Sequence, residues 1–511
     1  MEDKVTQYII DKLLMGEENL KRLKVEAARK FSSNDIIKNT KILENFPKEK
    51  LTDKIRELLL KKPMRTGSGV TPIAVMIQPE DSCKWACIYC PFTGKAAKSY
   101  TGYEPAARRA RDNGFDPVKQ VKTRLSQFSM GGHKTEKCEV IIMGGTFLDM
   151  KNDYKNAFVN GIYDALNNKK SKDILEAKKI NEKEKHRMVG LTIETRPDCC
   201  VEYIDQMLEY GVTRVELGVQ NPDDVVYKKI NRGHGVKEVV DSTEKLKNCG
   251  FKVCYHLMPG LPGSNKKKDI DMIKKIFEDQ RFRPDMLKIY PTLVIEGTVL
   301  ANMVKTGKYK PYNSEEAAEV ISEFYRYIPK YTRVMRIQRD IPATYIKEGV
   351  KKSNLREMVE QKIKSKGIEM REIRAREMGL RNEETKLKEL ELKRERYEAS
   401  GGEELFISYE KNNTLAGFIR LRIPNRSYRK EIDNETALIR ELHVYGSEVG
   451  ISEEGTIQHI GIGTKLLKEA EKIAKKEFKK KKMIIISGVG VREYYRKRGY
   501  KLVGPYMQKE L

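Results

Sequence analysis

From about residue 70 to about residue 290 the chain repeats one unit six times: a short apolar run of strand length, then a segment long enough for a helix. The runs fall at 73–77, 139–143, 189–194, 214–219, 252–257 and 287–290. Strands alternating with helices pair in parallel, because each helix returns the chain to the starting edge of the sheet, and a curved partial barrel is the natural closed form. In such folds the loops leaving the C-terminal strand ends gather on one face, where chemistry sits. The unusual residues of this chain fall there. A cysteine-rich loop follows the first strand, Gly144-Gly145-Thr146 the second and Thr195-Arg196-Pro197-Asp198 the third. Gln220 follows the fourth, Met258-Pro259-Gly260-Leu261-Pro262-Gly263 the fifth and Pro291-Thr292 the sixth.

The cysteine loop holds Cys83, Cys87 and Cys90 in a C-x3-C-x2-C spacing, with an aromatic, Tyr89, before the last. Three soft thiolates can bind three irons of a [4Fe-4S] cube, leaving the fourth iron open to a substrate. A structural zinc site is the alternative. It needs four closed ligands, and the nearest downstream candidate is His133 on a different element. The other five of the eight cysteines are scattered, as in a reducing compartment rather than a disulfide framework. The open cube resembles that of the radical S-adenosylmethionine (SAM) enzymes, whose fourth iron chelates the amino and carboxylate groups of SAM. By that resemblance Gly144 and Gly145 meet the SAM amino group, which backbone without a Cβ permits. Glu194 and Arg196, at the tip of the third strand, either bind the SAM ribose and carboxylate or form a structural ion pair. The Pro-Gly-Leu-Pro-Gly turn is either a wall beside the adenine or a plain tight turn.

Beyond the barrel the pattern changes twice. Residues 350–400 are dense in Lys, Arg and Glu and read as a charged helical linker. From about 401 to 511 strands return at 405–409, 415–422, 438–445 and 483–487, with a long amphipathic helix at 463–480, a short helix near 492–498 and a last strand. Between the third of these strands and the long helix lies Gln458-His459-Ile460-Gly461-Ile462-Gly463. Glycines there free backbone N–H groups to cradle a pyrophosphate at a helix N-terminus, where the helix dipole also favours anions. This Q-x-x-G-x-G form resembles the acetyl-CoA loop of the GCN5-related acetyltransferases (GNAT), in which a tyrosine on the late helix acts as acid or contacts the CoA sulfur. Tyr494 and Tyr495 stand at that place and Tyr495 is preferred; plain packing of both is the alternative.

Lys and Arg outnumber Asp and Glu by 100 to 74, a formal charge of +26 that suits a polyanionic partner. Residues 1–65 carry helical periodicity with 16 basic against 11 acidic residues. Residues 95–137 hold ten basic against four acidic, among them Arg108, Arg109, Arg111, Lys119, Lys122 and Arg124. Each stretch is either a solvated face or a nucleic-acid-binding one. No run approaches the roughly 18 consecutive apolar residues of a membrane span, and the N-terminus lacks a signal-peptide profile, so a cytoplasmic, membrane-free protein is expected.

Taken in order, these motifs resemble the catalytic subunit of Elongator, a radical SAM protein with a C-terminal acetyltransferase-like domain, in its stand-alone archaeal form. The likeness runs from about residue 63 to the C-terminus. It includes Thr101-Gly102-Tyr103-Glu104-Pro105, Glu194-Thr195-Arg196-Pro197-Asp198, Asn231-Arg232-Gly233-His234, Gln338-Arg339-Asp340-Ile341-Pro342 and Glu441-Leu442-His443-Val444-Tyr445-Gly446. The resemblance implies a helical tRNA-binding segment at 1–65, a radical SAM domain at 66–349 built as a partial (β/α)6 barrel, the linker at 350–400 and an acetyl-CoA-binding α/β domain at 401–511. It implies a tRNA anticodon stem-loop as substrate, carboxymethylated at carbon 5 of the wobble uridine with a [4Fe-4S] cluster, SAM and acetyl-CoA. An outside electron donor is then required, and a homodimer is compatible. The acetyl-CoA positions of the family fall on Lys137, Glu441, Leu442, His443, Val444, Ile462, Gly463, Thr464 and Tyr495, beside Gln458 and Gly461 of the loop. Lys137 precedes the second barrel strand, so the thioester would reach from one domain toward the radical site of the other. Relatives that carry zinc between the domains use Cys and His, which 350–400 lacks, so no zinc is expected there. The alternative function is a protein lysine acetyltransferase with a structural cluster, for which Glu441 would be the general base.

Overall fold

The computed structural model describes residues 2–33, 35–60, 66, 69–80, 83–381, 389–445 and 461–511. Seven strands form the first sheet: β1 (Thr71–Met76), β2 (Lys137–Met143), β3 (Arg187–Thr195), β4 (Arg214–Gln220), β5 (Lys252–Leu257), β6 (Met286–Ile289) and β7 (Arg333–Ile337). All pair in parallel with their sequence neighbours. The six expected strands are present, and β7 extends the sheet at its far edge. Only Val334 and Ile337 of β7 are buried, and its Arg-Val-Met-Arg-Ile sequence shows little apolar signal. In β2, alternate residues Lys137, Glu139, Ile141 and Met143 are half-buried while Cys138, Val140 and Ile142 are buried. The second row packs under helices, and the first faces the barrel interior.

The first residues fold as helices α1 (Glu2–Leu14), α2 (Leu20–Lys30), α3 (Asn39–Asn45) and α4 (Asp53–Leu59), which bury Ile9, Leu13, Leu23, Ile42 and Leu59 in a small core of their own. The basic segment after the cysteine loop forms α5 (Pro105–Asp112) and α6 (Pro117–Met130) beside β1. Each begins with Pro, whose fixed φ suits the first helical turn, and Asp116 caps α6 by accepting the Lys119 N–H at 3.0 Å. Arg108, Arg111, Lys119 and Lys122 are exposed.

A second seven-stranded sheet is built from β8 (Glu391–Glu398), β9 (Gly402–Lys411), β10 (Thr414–Pro424), β11 (Thr436–Val444), β12 (Lys482–Ile485), β13 (Lys501–Val503) and β14 (Tyr506–Glu510), in the order β13-β14-β12-β11-β10-β9-β8. β11 and β12 are parallel and the other neighbours antiparallel. Residues 350–400 are not the helical linker expected of them. Helix Leu355–Ser365 packs Leu355, Met358, Val359 and Ile363 into the barrel core, and 391–398 is the edge strand β8. Its charges belong to an exposed sheet edge, where Lys, Arg and Glu discourage pairing with another chain.

The two sheets are joined by a buried ionic network. Asp285, before β6, accepts from Arg440 Nη1 at 2.8 Å and Nη2 at 2.6 Å; Arg440 also reaches Glu404 at 2.8 Å, as does Arg422. Lys247 lies 3.7 Å from Asp285 and 3.9 Å from Glu404 and donates to the Arg283 carbonyl at 2.6 Å. All of these side chains are inaccessible to solvent apart from that of Arg283. Burial outweighs the two carboxylates and pushes the Lys247 ammonium down to about 7. Between that value and roughly 10.4, where a free lysine titrates, the unfolded chain binds more protons than the folded one, so stability rises with pH. We expect unfolding midpoints to climb from pH 7 toward pH 9 in the wild type, and Lys247→Met to remove that climb; equal slopes in the two proteins would contradict it.

Candidate active site

The cysteine loop is fixed from three sides. The Cys90 N–H closes a turn on the Cys87 carbonyl at 3.0 Å, the Ile88 N–H bonds the Ile230 carbonyl at 3.1 Å, and Asn231 Nδ2 bonds the Ala86 carbonyl at 3.1 Å. Trp85 lies flat on Gly233: a Cβ there would stand 2.1 Å from the indole, and the glycine's φ of +80° also disfavours a side chain. The Cys87 sulfur faces Arg232 Nη1 at 3.6 Å and Arg196 Nη1 at 3.9 Å. Burial, and then the charges of Cys87 and Cys83, push the Cys90 thiol up to about 12. Three cysteines gathered at one cavity mouth, with the Cys90 thiol reluctant to ionise without a compensating cation, are a donor set that a metal cluster stabilises, so these residues fit a [4Fe-4S] cube. His133 precedes β2, at the opposite end of the strands from this loop, and bonds Thr66 Oγ1 through Nδ1 at 3.0 Å. The zinc alternative thereby loses its fourth ligand.

Beside the loop, Gly144 has φ +128°, and a Cβ on it would stand 2.6 Å from the Ile77 side chain. Its N–H approaches Glu194 Oε2 at 3.4 Å, the same oxygen that accepts from the Tyr100 hydroxyl at 2.6 Å. A Cβ on Gly145 would meet nothing within 4 Å, so the backbone there lies open to a ligand. Arg196 does form an ion pair, but with Asp198: Nε at 2.9 Å and Nη2 at 3.2 Å, with Nη2 also on the Arg232 carbonyl at 2.6 Å. Glu194 and Arg196 therefore serve different neighbours.

From this mouth a cavity of about 730 Å³ descends through the barrel, from the three cysteines to Pro72, Glu139 and Arg214 near the start of the strands. Its wall carries charges that the sequence did not single out. Glu216 pairs with Lys288, accepts from His256 Nε2 at 2.7 Å and lies 3.3 Å from Arg214 Nε; Lys288 also lies 3.8 Å from Glu194. Burial works against the Glu216 charge, but Lys288 and His256 overcome it and hold the carboxyl far below its usual range. Lys137 continues the inward row of β2 one step below Glu139.

Below that floor lies β11. Lys252, the half-buried first residue of β5, feels the charges of Glu441, Arg214 and Glu139. β11 pairs with β12 only as far as Ile439 and then runs on to Val444, so Glu441, Leu442, His443 and Val444 form a half-buried edge beyond the split. Glu441 is ion-paired to Arg420 at 2.8 Å; despite burial, Arg420 and Lys252 keep its carboxyl below the usual range. That makes it a poor general base. Across the split, helix Ile462–Lys476 starts from Gly461 at φ +80°. Gly463 packs so near Tyr494 that a Cβ would stand 2.8 Å from the hydroxyl, and Thr464 Oγ1 accepts from Arg498 at 2.7 and 3.1 Å. Among the described residues the Tyr494 hydroxyl is buried beside Thr464 and Arg498 without a well-formed hydrogen bond, whereas the Tyr495 ring packs in the core against Tyr494 and Tyr500. Of the two tyrosines, Tyr494 is the one whose hydroxyl stands at Gly463, and Tyr495 is packed in the core. Gln458 lies outside the described residues.

Family models match this arrangement segment by segment: the ELP3 N-terminal domain at 3–67, the radical SAM superfamily at 77–276, the radical SAM C-terminal domain at 284–365 and the acetyltransferase (GNAT) family at 368–500. The tRNA uridine(34) acetyltransferase of Methanocaldococcus infernus is 47% identical over 100% of both chains. Elongator complex protein 3 of Schizosaccharomyces pombe is 41% identical, over 99% of this chain and 98% of its own. A solved structure of the archaeal Methanocaldococcus infernus Elp3, lacking N-terminal residues 1–46, superposes with a TM-score of 0.78 at 48% identity, covering 87% of this chain and 100% of that one. With the three-cysteine loop at one end of the barrel cavity and the GNAT split below the other, the chain belongs to the Elongator complex protein 3 family, acyltransferase-class radical SAM enzymes with a C-terminal GNAT domain.

Proposed function

We propose that this enzyme carboxymethylates carbon 5 of the wobble uridine of tRNA, taking the two-carbon unit from acetyl-CoA. One observation carries the reading: a single cavity runs from Cys83, Cys87 and Cys90 to the floor that faces β11, so a radical source and a thioester can meet in one chamber. The relatives named tRNA uridine(34) acetyltransferase supply the nucleotide. A [4Fe-4S] cluster held by the three cysteines would supply the electron for reductive cleavage of SAM. The Gly144 and Gly145 backbone and the Glu194 carboxylate would bind the amino and ribose groups of SAM. Lys137, on the inward row of β2, would hold acetyl-CoA at the floor, with Ile462, Gly463, Thr464 and the Tyr494 hydroxyl on the GNAT side. The packed walls keep bulk water from a reactive carbon centre. A single-stranded anticodon base is cheap to extrude, and Arg108, Arg111, Lys119 and Lys122 on α5 and α6, all exposed, would hold the adjoining phosphates.

The test is mass spectrometry of tRNA nucleosides after incubation with the reconstituted protein, SAM, acetyl-CoA and a reductant. Carboxymethyluridine should form, and omission of any one component should abolish it. Product formed without SAM or without reductant would refute the radical route. The lysine acetyltransferase reading is disfavoured by the ion pair that occupies Glu441.

A further inference from the structure

A uridine joined at carbon 5 to the methyl carbon of acetyl-CoA still carries the thioester. Releasing the carboxylate takes a water molecule, a base for its proton and a proton for the departing sulfur, and none of the residues assigned above supplies them. His256 lies on the inner face of β5, opposite Lys288 of β6, with its side chain 14% exposed on the cavity wall. It stands between the cysteine loop and the floor at Glu139 and Arg214.

Its hydrogen bond fixes its chemistry. Glu216 stays ionised, held by Lys288 and Arg214 as well as His256, and an ionised carboxylate only accepts. The hydrogen of the 2.7 Å bond is therefore on His256 Nε2, and in the neutral ring Nδ1 carries the lone pair. Nδ1 has no hydrogen-bond partner among the described residues. Tyr290 meets the ring edge-on, with centroids 5.4 Å apart, and helps fix its plane. A metal is the other use for this place, since ligand atoms of Glu216, Cys254 and His256 lie within 4.8 Å of one another. Lys288 and Arg214 on the same carboxylate oppose a cation there.

We infer that His256 is the general base of thioester hydrolysis, with Glu216 as the residue that orients it. Nδ1 takes a proton as the water oxygen bonds to the thioester carbonyl carbon. The carbon–sulfur bond then breaks with its electron pair going to sulfur, and the imidazolium returns the proton to the CoA thiolate. One water is consumed, the carboxylic acid and CoA thiol are released, and nothing is oxidised or reduced. The Glu216 charge stabilises the imidazolium between the two transfers, and Lys288 keeps Glu216 from taking the proton itself.

The inference rests on the proposed function and is tested separately from it with His256→Gln, whose side-chain amide can still donate to Glu216. With tRNA, SAM, acetyl-CoA and reductant, the variant should form 5′-deoxyadenosine at wild-type yield. CoA thiol release should fall about 10²- to 10⁴-fold, the usual worth of a general base, and tRNA should accumulate a uridine-linked CoA thioester visible by mass. His256→Ala should recover thiol release when imidazole is added. In unloaded, ¹⁵N-histidine-labelled protein, the signal that disappears in His256→Gln should show the Nε2-protonated tautomer. The Nδ1-protonated tautomer, unchanged thiol release, or loss of 5′-deoxyadenosine in step with thiol release would each overturn the assignment. A wild-type protein that makes no modified uridine defeats the proposed function instead.

Discussion

Cys87→Ala is expected to abolish formation of the modified uridine while leaving tRNA affinity unchanged. The reason is local. Cys87 is the most deeply buried of the three cluster cysteines, and its sulfur is the one that Arg196 and Arg232 both address. Cys199 and Cys200 follow β3 but hydrogen-bond around the Thr195–Pro197 turn, so neither cysteine is placed to replace it. Two thiolates cannot hold a cube that already has one open iron. Iron and sulfide analysis should show a cluster-free protein, and nucleoside mass spectrometry no product. The exposed Arg108, Arg111, Lys119 and Lys122 of α5 and α6 keep their charges whether or not the cluster is present, so binding of tRNA, followed by filter retention or anisotropy, should persist. Wild-type levels of modification in iron-free Cys87→Ala protein would end the radical reading.

The barrel was legible because its strands are buried on both sides and therefore read as apolar runs, each followed by the loop that carries chemistry. β7 and β8 escaped for the converse reason. An edge strand needs only half its residues apolar, and the Glu-Leu-Lys-Arg-Glu-Arg-Tyr-Glu of β8 has charges at nearly every position because it faces solvent. The cysteine triplet and the glycine pair could be placed at the mouth of the cavity from sequence because each follows a barrel strand; of the GNAT loop only Gly461 onward lies among the described residues. The charged wall of the cavity was not. Arg214 and Glu216 on β4 and Lys288 on β6 stand among residues that otherwise look like core, and nothing in a linear pattern says that they point toward one another. The available signal was their cost: a charge at an inward position of a buried parallel strand has to be paired, so three such charges on two strands of one barrel imply a network. The choice between Tyr494 and Tyr495 was equally closed to the sequence, since adjacent helical residues face directions about 100° apart and only packing decides which meets the loop.

Asp285→Ala should produce the largest loss of stability available from a single side chain at the domain junction. Asp285 is wholly buried and accepts four hydrogen bonds or ion pairs from both domains: the Val253 N–H at 2.8 Å, both Nη atoms of Arg440, and Lys247 at 3.7 Å. Arg420 Nη1 lies 3.8 Å away on the far side. Burial alone would raise its pKa; Arg440 and Lys247 reverse that and keep it ionised throughout the physiological range. Removing the carboxylate leaves the fully buried Arg440 with only the Phe251 carbonyl and Glu404 to answer its charge, and leaves the Val253 N–H unsatisfied. Breaking a buried pair from one side costs about 3–5 kcal/mol, a large share of the 5–15 kcal/mol that holds a typical domain. Denaturant unfolding should therefore show a sharply lowered midpoint, with the barrel and the GNAT sheet separating before either melts. Asp285→Asn keeps the shape and one acceptor but not the charge, and should fall between. Because the cavity floor at Glu139 and Arg214 meets β11 through the same junction, a loosened interface should also let the thioester hydrolyse before a uridine arrives. Free acetate released without tRNA should then rise in Asp285→Asn relative to wild type, and an unchanged acetate yield together with an unchanged midpoint would show that the junction does not depend on this charge.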